Sequence, residues 1–436
     1  MERRTFLRTA VIGTSAAAFG GTLWRGAAFA DPAQPATGPY GALQAANSNG
    51  ILLPSGFTSR IIARSGQAVP GTSYTWHSAP DGGATFTDDG GWIYVSNAEV
   101  SSGSGGGASA ERFNSSGTVT SAYRILSGTN NNCAGGRTPW NTWLSCEEVT
   151  RGFVYETDPW GVNAAVQRPA MGRFKHEAAA ADPDHGYVYL TEDETDGRFY
   201  RFRPTTWGNL SSGTLQVLVA GTGTSGPVTW TTVPDPDGSP TQTRYQISGA
   251  KVFNGGEGCF YAAGTCWFTT KGDNRVWAYD ANASSLSLVY DDSLVTGGSA
   301  PLTGVDNVTR AASGDLYVAE DGGNMEICLI TPDDTVARSC GSAASPAPRS
   351  PARPSPRTAA GSTSPRSAAP PEARPGVSPT RSRGRSAPDP PWGGGRGAGS
   401  ATAAPSCVRP VPRPPRGPSR RPPRCDRPGP GRSGRT

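Results

Sequence analysis

Histidine is scarce in this chain, with only three among 436 residues. A zinc centre built from clustered imidazoles is therefore hard to assemble. The sequence also lacks a Gly-x4-Gly-Lys-Ser/Thr loop, a dinucleotide fingerprint behind a strand and a Gly-x-Ser-x-Gly elbow. Their absence removes phosphate-loop, dinucleotide and serine-hydrolase chemistry from consideration. Apolar periodicity at helical spacing is nearly absent, and the apolar run near the N-terminus is too short and too rich in Gly and Ala for a stable membrane anchor. Beyond residue 338 acids and aromatics almost vanish. Residues 339–436 hold 18 Arg and no Lys against Glu372, Asp389 and Asp426, and Trp392 is their one aromatic.

What the chain does have is a phrase that recurs five times: a turn, an aromatic-rich strand, then a polar or acidic residue. It reads Asp89-Gly-Gly-Trp-Ile-Tyr-Val-Ser-Asn-Ala-Glu99, Pro139-Trp-Asn-Thr-Trp-Leu-Ser-Cys-Glu-Glu148 and His185-Gly-Tyr-Val-Tyr-Leu-Thr-Glu192. It returns as Ala263-Gly-Thr-Cys-Trp-Phe-Thr-Thr270 and Ser313-Gly-Asp-Leu-Tyr-Val-Ala-Glu320. Alternating aromatic and β-branched residues behind a Gly turn form the second strand of a hairpin. Repetition at roughly 45–80 residues predicts an all-β fold, a β-propeller. Third strands follow at Phe153-Val-Tyr155, Arg198-Phe-Tyr-Arg-Phe202, Arg275-Val-Trp-Ala-Tyr279 and Met325-Glu-Ile-Cys-Leu-Ile330, so each blade reads as a meander. A Gly-, Pro- and Thr-rich insertion, Trp207 to Thr243, reads as a surface excursion or a lid.

Both ends differ from this body, which spans residues 31–337. Residues 1–30, with Arg3-Arg4-Thr-Phe-Leu, an apolar run and Ala28-Phe-Ala30, read as a twin-arginine export signal. The protein is expected to use the twin-arginine machinery, to act in the periplasm or outside the cell without a stable membrane anchor, and to be a monomer. Residues 338–436 cannot bury enough apolar surface to offset chain entropy and are expected to be disordered. Their excess of Arg hides an acidic body, since residues 31–338 carry a net charge of −13. A polyanion-binding arm is the plain reading of such a tail. Translation of a GC-rich gene in a shifted frame fits better, and no nucleic-acid partner is expected. Shifted by one base, codons for residues 338–382 can encode a sixth copy of the phrase, Ser-Pro-Asp-Gly-Ser-Arg-Leu-Tyr-Phe-Ser-Ser, with a Glu ahead of it.

In a propeller the first strand of each blade lines the central channel, so residues just ahead of each phrase converge. Counting back gives His77, Cys133, Glu177 in Lys175-His-Glu177, Glu257 in Gly255-Gly-Glu-Gly258, and Asp306-Asn307. A ring of thiolate and carboxylates requires cations among them, because buried like charges repel strongly. Oxygen ligands suit Ca²⁺, and a thiolate with carboxylates suits an iron-type ion. Glu148, Glu192, Asp193, Glu320 and Asp321 form a candidate further shell. Each has a plainer reading: strand-end acids are commonly solvated turn residues, His77 and His176 structural hydrogen-bonding groups, and Cys133 a small buried apolar residue or half a disulfide with Cys146. Cys259 and Cys266 flank a tight turn and are either a disulfide or two thiols.

Asn131-Asn-Cys-Ala-Gly-Gly-Arg-Thr-Pro-Trp140, Gly172-Arg-Phe-Lys-His-Glu-Ala-Ala-Ala180, Tyr189-Leu-Thr-Glu-Asp193, and Asp306-Asn307 with Leu316-Tyr-Val-Ala-Glu-Asp321 together resemble the PhoX family of secreted bacterial alkaline phosphatases. The resemblance implies a six-bladed propeller, its last blade incomplete here, with a cluster of Fe³⁺ and Ca²⁺ that hydrolyses small phosphate esters through a metal-bound oxygen. Carried over by motif, Cys133, Glu177 and Glu257 are the catalytic iron ligands, Asn307, Glu320 and Asp321 lie at or near calcium, and Glu148 is a weaker ligand candidate. One departure stands out. The family pattern places a phosphate-clamping Arg beside the fourth-blade Glu, whereas this chain reads Asn254-Gly-Gly-Glu257, leaving Lys251 and Lys271 as candidates.

Two other functions fit the same sequence. A Ca²⁺-dependent propeller lactonase or esterase would need ring carboxylates but no thiolate. A non-catalytic binding propeller would present exposed Trp residues, such as Trp140, Trp143, Trp207 and Trp230. Resequencing the 3′ end of the gene tests the shifted frame: a one-base discrepancy near codon 338 is expected, and an unbroken read in the stated frame contradicts it.

Overall fold

The computed structural model describes residues 32–321 and 325–343. The export signal expected over 1–30 lies outside the described residues, as does the expected tail beyond 343. The chain forms five antiparallel meanders, the blades of a β-propeller. Their inner strands are Pro80–Asp88, Asn132–Arg137, His176–Asp182, Gly256–Ala262 and Val305–Arg310. The second strands are Gly91–Ala98, Trp143–Glu147, Tyr187–Glu192, Thr265–Thr270 and Leu316–Glu320, which are the repeated phrases. Each phrase turns on a residue of positive φ: Gly90, Asn141, Gly186, Gly264 and Gly314. Glycine adopts that conformation without strain and asparagine tolerates it, so the turn chemistry in the sequence fixes the hairpin.

Four apolar clusters hold the blades together, each between two successive blades. Phe86, Ile93 and Val95 of blade 1 meet Trp143 of blade 2. Leu144 and Cys146 of blade 2 meet Leu190 and Tyr200 of blade 3. Tyr189 and Phe199 of blade 3 meet Phe268 and Trp277 of blade 4, with Phe199 stacked on Phe268 at 4.1 Å. Trp267 and Tyr290 of blade 4 meet Leu316 and Val318 of blade 5. Among the described residues no such cluster joins blade 5 to blade 1. The described residues thus form five blades where the resemblance implies six.

Chain ends and insertion lace the outer edges. Gln34–Pro35 pairs in parallel with the last strand, Thr335–Ser342, and Ile51–Leu52 pairs with the other end of that strand. The last strand runs past residue 338, where the tail is expected to begin, because Val336, Ala337 and Cys340 are buried against the blade. The insertion between blades 3 and 4 is neither a free excursion nor a lid. Thr229–Thr232 adds a strand to blade 3 and Gly226–Pro227 adds one to blade 4. Its Trp230 packs on Tyr189, Phe199 and Tyr279 and donates a hydrogen bond to the Tyr279 hydroxyl. No helix among the described residues is long and apolar enough to cross a membrane.

Candidate metal and phosphate centre

One backbone device, repeated in every blade, builds the centre. The first residue of each inner strand pairs with the last residue of the second strand: Pro80 with Ala98, Asn132 with Glu147, His176 with Glu192, Gly256 with Thr270, and Val305 with Glu320. Immediately afterwards each inner strand bulges, and the register resumes only at Gly83, Gly135, Ala179, Cys259 and Val308. A bulge carries an extra residue and re-aims a side chain. The residues it displaces are Asp81, Cys133, Glu177, Glu257 and Asp306, each followed by Gly, Ala or Asn. The small followers let neighbouring inner strands converge. A Cβ on Gly258 would stand 2.5 Å from Asn307 Cα, and one on Gly82 would stand 2.6 Å from Ala134 Cα.

These five side chains gather into overlapping groups. Asp81, Glu99 and Cys133 offer ligand atoms within 4.8 Å of one another; so do Cys133, Glu148 and Glu177, and likewise Glu177, Glu257 and Asp306. The Cys133 thiol donates to Asp81 Oδ2 at 3.6 Å. A second tier comes from the residue just after each second strand: Glu99, Glu148, Asp193, Lys271 and Asp321. Lys175 Nζ reaches Glu148 at 2.8 Å and Asp193 at 2.6 Å; Lys271 Nζ reaches Asp193 at 2.8 Å and Glu257 at 2.5 Å.

The electrostatics follow from packing so many acids in a buried channel. Burial and then the Glu257 charge push the Glu177 carboxyl well above the usual range. Burial and then Asp306 do the same for Glu257, against the pull of Lys271. Burial and Glu177 push the Cys133 thiol well up. Asp81, raised by burial and Asp306, and Asp306, raised by burial and Asp321, are pushed up to about 7. Glu148 is also raised to about 7, by burial first. Burial acts against Asp193 as well, but hydrogen bonding from Glu148, Lys271 and Lys175 outweighs it and lowers that carboxyl to about 2. Both carboxylate oxygens of Glu177 are buried without a hydrogen-bond partner. An acid in that state is a costly arrangement for an apo protein and a suitable one for binding a cation. The donor set, a thiol with surrounding carboxylates, fits a transition ion beside oxygen-bound cations.

The structure brings Cys133, Glu148 and Glu177 into one group, and Glu177 and Glu257 into a second with Asp306. Asn307 sits next to the ring residue Asp306 and donates to its Oδ1 at 3.1 Å. Asp321 follows the fifth second strand, on the tier that faces the ring. Glu320 is placed elsewhere: its carboxylate accepts from the Thr303 backbone N–H at 2.6 Å and from that of Glu326 at 3.2 Å. Glu192 does the same work in blade 3, accepting from the Arg198 N–H, the Tyr200 hydroxyl and Arg244 Nη1. Glu147 repeats it in blade 2, tying down Asn130 and Phe153. In these paired acids the first member caps the loop and the second turns to the channel.

His77 is not the first-blade ring residue. Its Nδ1 pairs with Ser109 Oγ at 2.8 Å and its ring lies against Trp76, while Asp81, four residues later, takes the ring place. Asp81 is marked in the sequence by the small pair Gly82-Gly83 behind it, the sign of the bulge, and Glu99 by its place just after the second strand. His176 is structural, its Nε2 donating to the Gly172 carbonyl at 3.0 Å. Lys251 is remote from the ring and donates to the carbonyls of Gly221 and Gly223. Cys259 and Cys266 are free thiols with sulfurs 3.2 Å apart.

Comparison with known proteins gives the family and the fold. The family model "Alkaline phosphatase PhoX" matches residues 95–151 and 149–345. The chain belongs to the PhoX family of phosphoric ester hydrolases. Among solved structures, Pseudomonas fluorescens PhoX in complex with vanadate, a transition state analogue, is similar with a TM-score of 0.55 and 17% identity, over 71% of this chain and 89% of that one. At that identity the likeness speaks to the propeller fold. A gluconolactonase from Xanthomonas campestris is 14% identical over 72% of this chain and 89% of its own, with a TM-score of 0.34. The aldose sugar dehydrogenase of Streptomyces coelicolor is 14% identical over 67% of this chain and 90% of its own, with a TM-score of 0.35. Neither of these two carries an argument. No curated protein sequence matches the chain.

Burial, and then the Arg124 guanidinium, lower the His77 imidazole to about 4. A folded value below the ordinary one of 6.5 means the neutral ring stabilises the fold above pH 6.5. That stability drains away as the pH falls toward 4, by about 3 kcal/mol in all. The stability difference between wild type and His77→Gln, followed by thermal melts from pH 8 to pH 4, should move against wild type across this window. A difference that stays constant contradicts a buried neutral His77.

Proposed function

We propose that this PhoX-family chain is a secreted, metal-dependent phosphatase acting on small phosphate esters. The observation that carries the reading is Glu177, whose two carboxylate oxygens are buried and unpartnered within 4.8 Å of Cys133 and Glu148 on one side and of Glu257 and Asp306 on the other. Cys133, Glu177 and Glu257 are the residues that would hold an iron-type ion, and Glu148, Asp306, Asn307 and Asp321 are those that would hold calcium. Such ions supply positive charge that offsets the phosphoryl oxygens as charge develops in the transition state. The protein's own part is to bind and orient the ester. The bulged inner strands fix the ligand side chains on rigid backbone, while Lys175 and Asp193 hold Glu148 in place. Vanadate in the P. fluorescens relative, a transition state analogue there, supports phosphoryl chemistry on this propeller.

The competing readings lose support for specific reasons. A lactonase centre made of carboxylates has no use for Cys133 at its middle. Of the four Trp residues that a binding propeller would expose, Trp143 is buried and donates to Asn97 Oδ1 at 3.0 Å and Trp230 is packed between blades 3 and 4, while the exposed Trp207 packs edge-on against Trp140. Export by the twin-arginine route belongs to the same proposal and is supported by residues 1–30. We propose also that blades 5 and 1 are bridged by a sixth blade encoded in the shifted frame. Support comes from the interblade clusters, which run from blade 1 to blade 5 and stop there.

Metal analysis of the purified mature protein, with p-nitrophenyl phosphate turnover in the presence and absence of chelator, tests the function. Iron with calcium and chelator-sensitive turnover are expected. Cys133→Ser should lose the iron, and Glu177→Gln should lose at least about 100-fold in turnover. Calcium alone without turnover would return the assignment to a lactonase or a binding propeller.

A further inference from the structure

The second tier of the channel is acidic in four blades, Glu99, Glu148, Asp193 and Asp321, and carries a cation in the fourth, Lys271. Lys271 spans from buried acids to solvent. Its side chain is 47% exposed, whereas those of Glu257 and Asp193, which it touches, are 4% and 7% exposed. Its ammonium donates to Asp193 Oδ2 at 2.8 Å and lies 2.5 Å from Glu257 Oε1 as an ion pair, so of its three N–H donors at least one remains for an oxygen arriving from solvent. Burial works against the charge, but Glu257 and Asp193 more than offset it, so the ammonium stays protonated.

The neighbouring turn is shaped around this side chain. Gly255 has a φ of +70°, and a Cβ there would stand 2.9 Å from Lys271 Cγ and 3.3 Å from Asp193 Oδ1. The Lys271 N–H donates to the Gly255 carbonyl at 2.8 Å, and the Gly272 N–H to the Asn254 carbonyl at 3.0 Å. Any other residue at 255 would therefore crowd the lysine stem. The strip Asn254-Gly-Gly-Glu257, which carries no cation of its own, makes room for one supplied from the next strand.

We propose that Lys271 is the residue of this chain that binds a non-bridging oxygen of the phosphoryl group, filling the position opened by Gly255. The proposal deepens the phosphatase reading and rests on it. A single ammonium is a point charge and lacks the two-pronged fit of a guanidinium to phosphate, so it holds the group by charge more than by geometry. Losing a charge-assisted contact of this kind weakens binding by about 10- to 100-fold.

The test uses the metal-loaded, full-length protein and two independent readouts: KM against kcat for p-nitrophenyl phosphate, and calorimetric binding of inorganic phosphate. Lys271→Met should raise both KM and the phosphate Kd by about tenfold or more with metal content unchanged, and Lys271→Arg should keep both within about threefold. A Lys271→Met protein that binds phosphate as tightly as wild type overturns the proposal. So does loss of binding in both variants, which would make the residue a structural support for Glu257 and Asp193. Should wild type bind phosphate without turning over the ester, the phosphatase reading fails while the calorimetric comparison still decides Lys271. Wild type that binds no phosphate overturns both.

Discussion

Buried like charge is the constraint on which the rest of this molecule depends. Four carboxylates and a thiol from five inner strands converge in one channel, with a second tier of acids behind them. At a separation of about 4 Å, two such charges repel by about 4 kcal/mol even at an effective dielectric of 20. Lys175 and Lys271 relieve part of this by bridging Glu148, Asp193 and Glu257. They leave Glu177 without a partner of either kind. The fold tolerates that arrangement because the aromatic clusters between blades fix the inner strands, and on the proposed function a cation would stabilise what the protein alone cannot.

The propeller itself was legible in the sequence because its signals are local. Turn residues of positive φ, period-two aromatic strands and a repeated phrase each specify a hairpin without reference to distant contacts. The ring was legible where a reactive residue stood just before a small pair, as in Cys133-Ala134-Gly135 and Glu257-Gly258. In blade 1 the ring residue is Asp81, ahead of Gly82-Gly83, and not the buried His77 that pairs with Ser109. The marker that would have found Asp81 is the bulge, one extra residue in the same register of every inner strand. A bulge is a relation between two strands, so it becomes visible only when both are in place.

The paired acids at strand ends show a different limit. Glu147-Glu148, Glu192-Asp193 and Glu320-Asp321 look equivalent in sequence, yet one member of each pair caps backbone N–H groups of its own blade while the next faces the channel. Alternation along an extended strand dictates the split, but which member faces inward depends on the strand's last paired residue. The insertion after blade 3 was unreadable for the same reason. Its Gly, Pro and Thr residues look like loop, yet its first part, Asn209–Val219, is a strand of blade 3 that Thr229–Thr232 extends, while Gly226–Pro227 pairs with Ser285–Asp291 of blade 4.

Diffraction from crystals of the metal-loaded protein, recorded on either side of the iron absorption edge, tests the central claim most directly. The account predicts an anomalous peak within bonding distance of Cys133 Sγ, Glu177 and Glu257, with further oxygen-bound density near Glu148 and Asp306. Density that avoids Cys133, leaving the thiol buried and Glu177 protonated and unliganded, would contradict it.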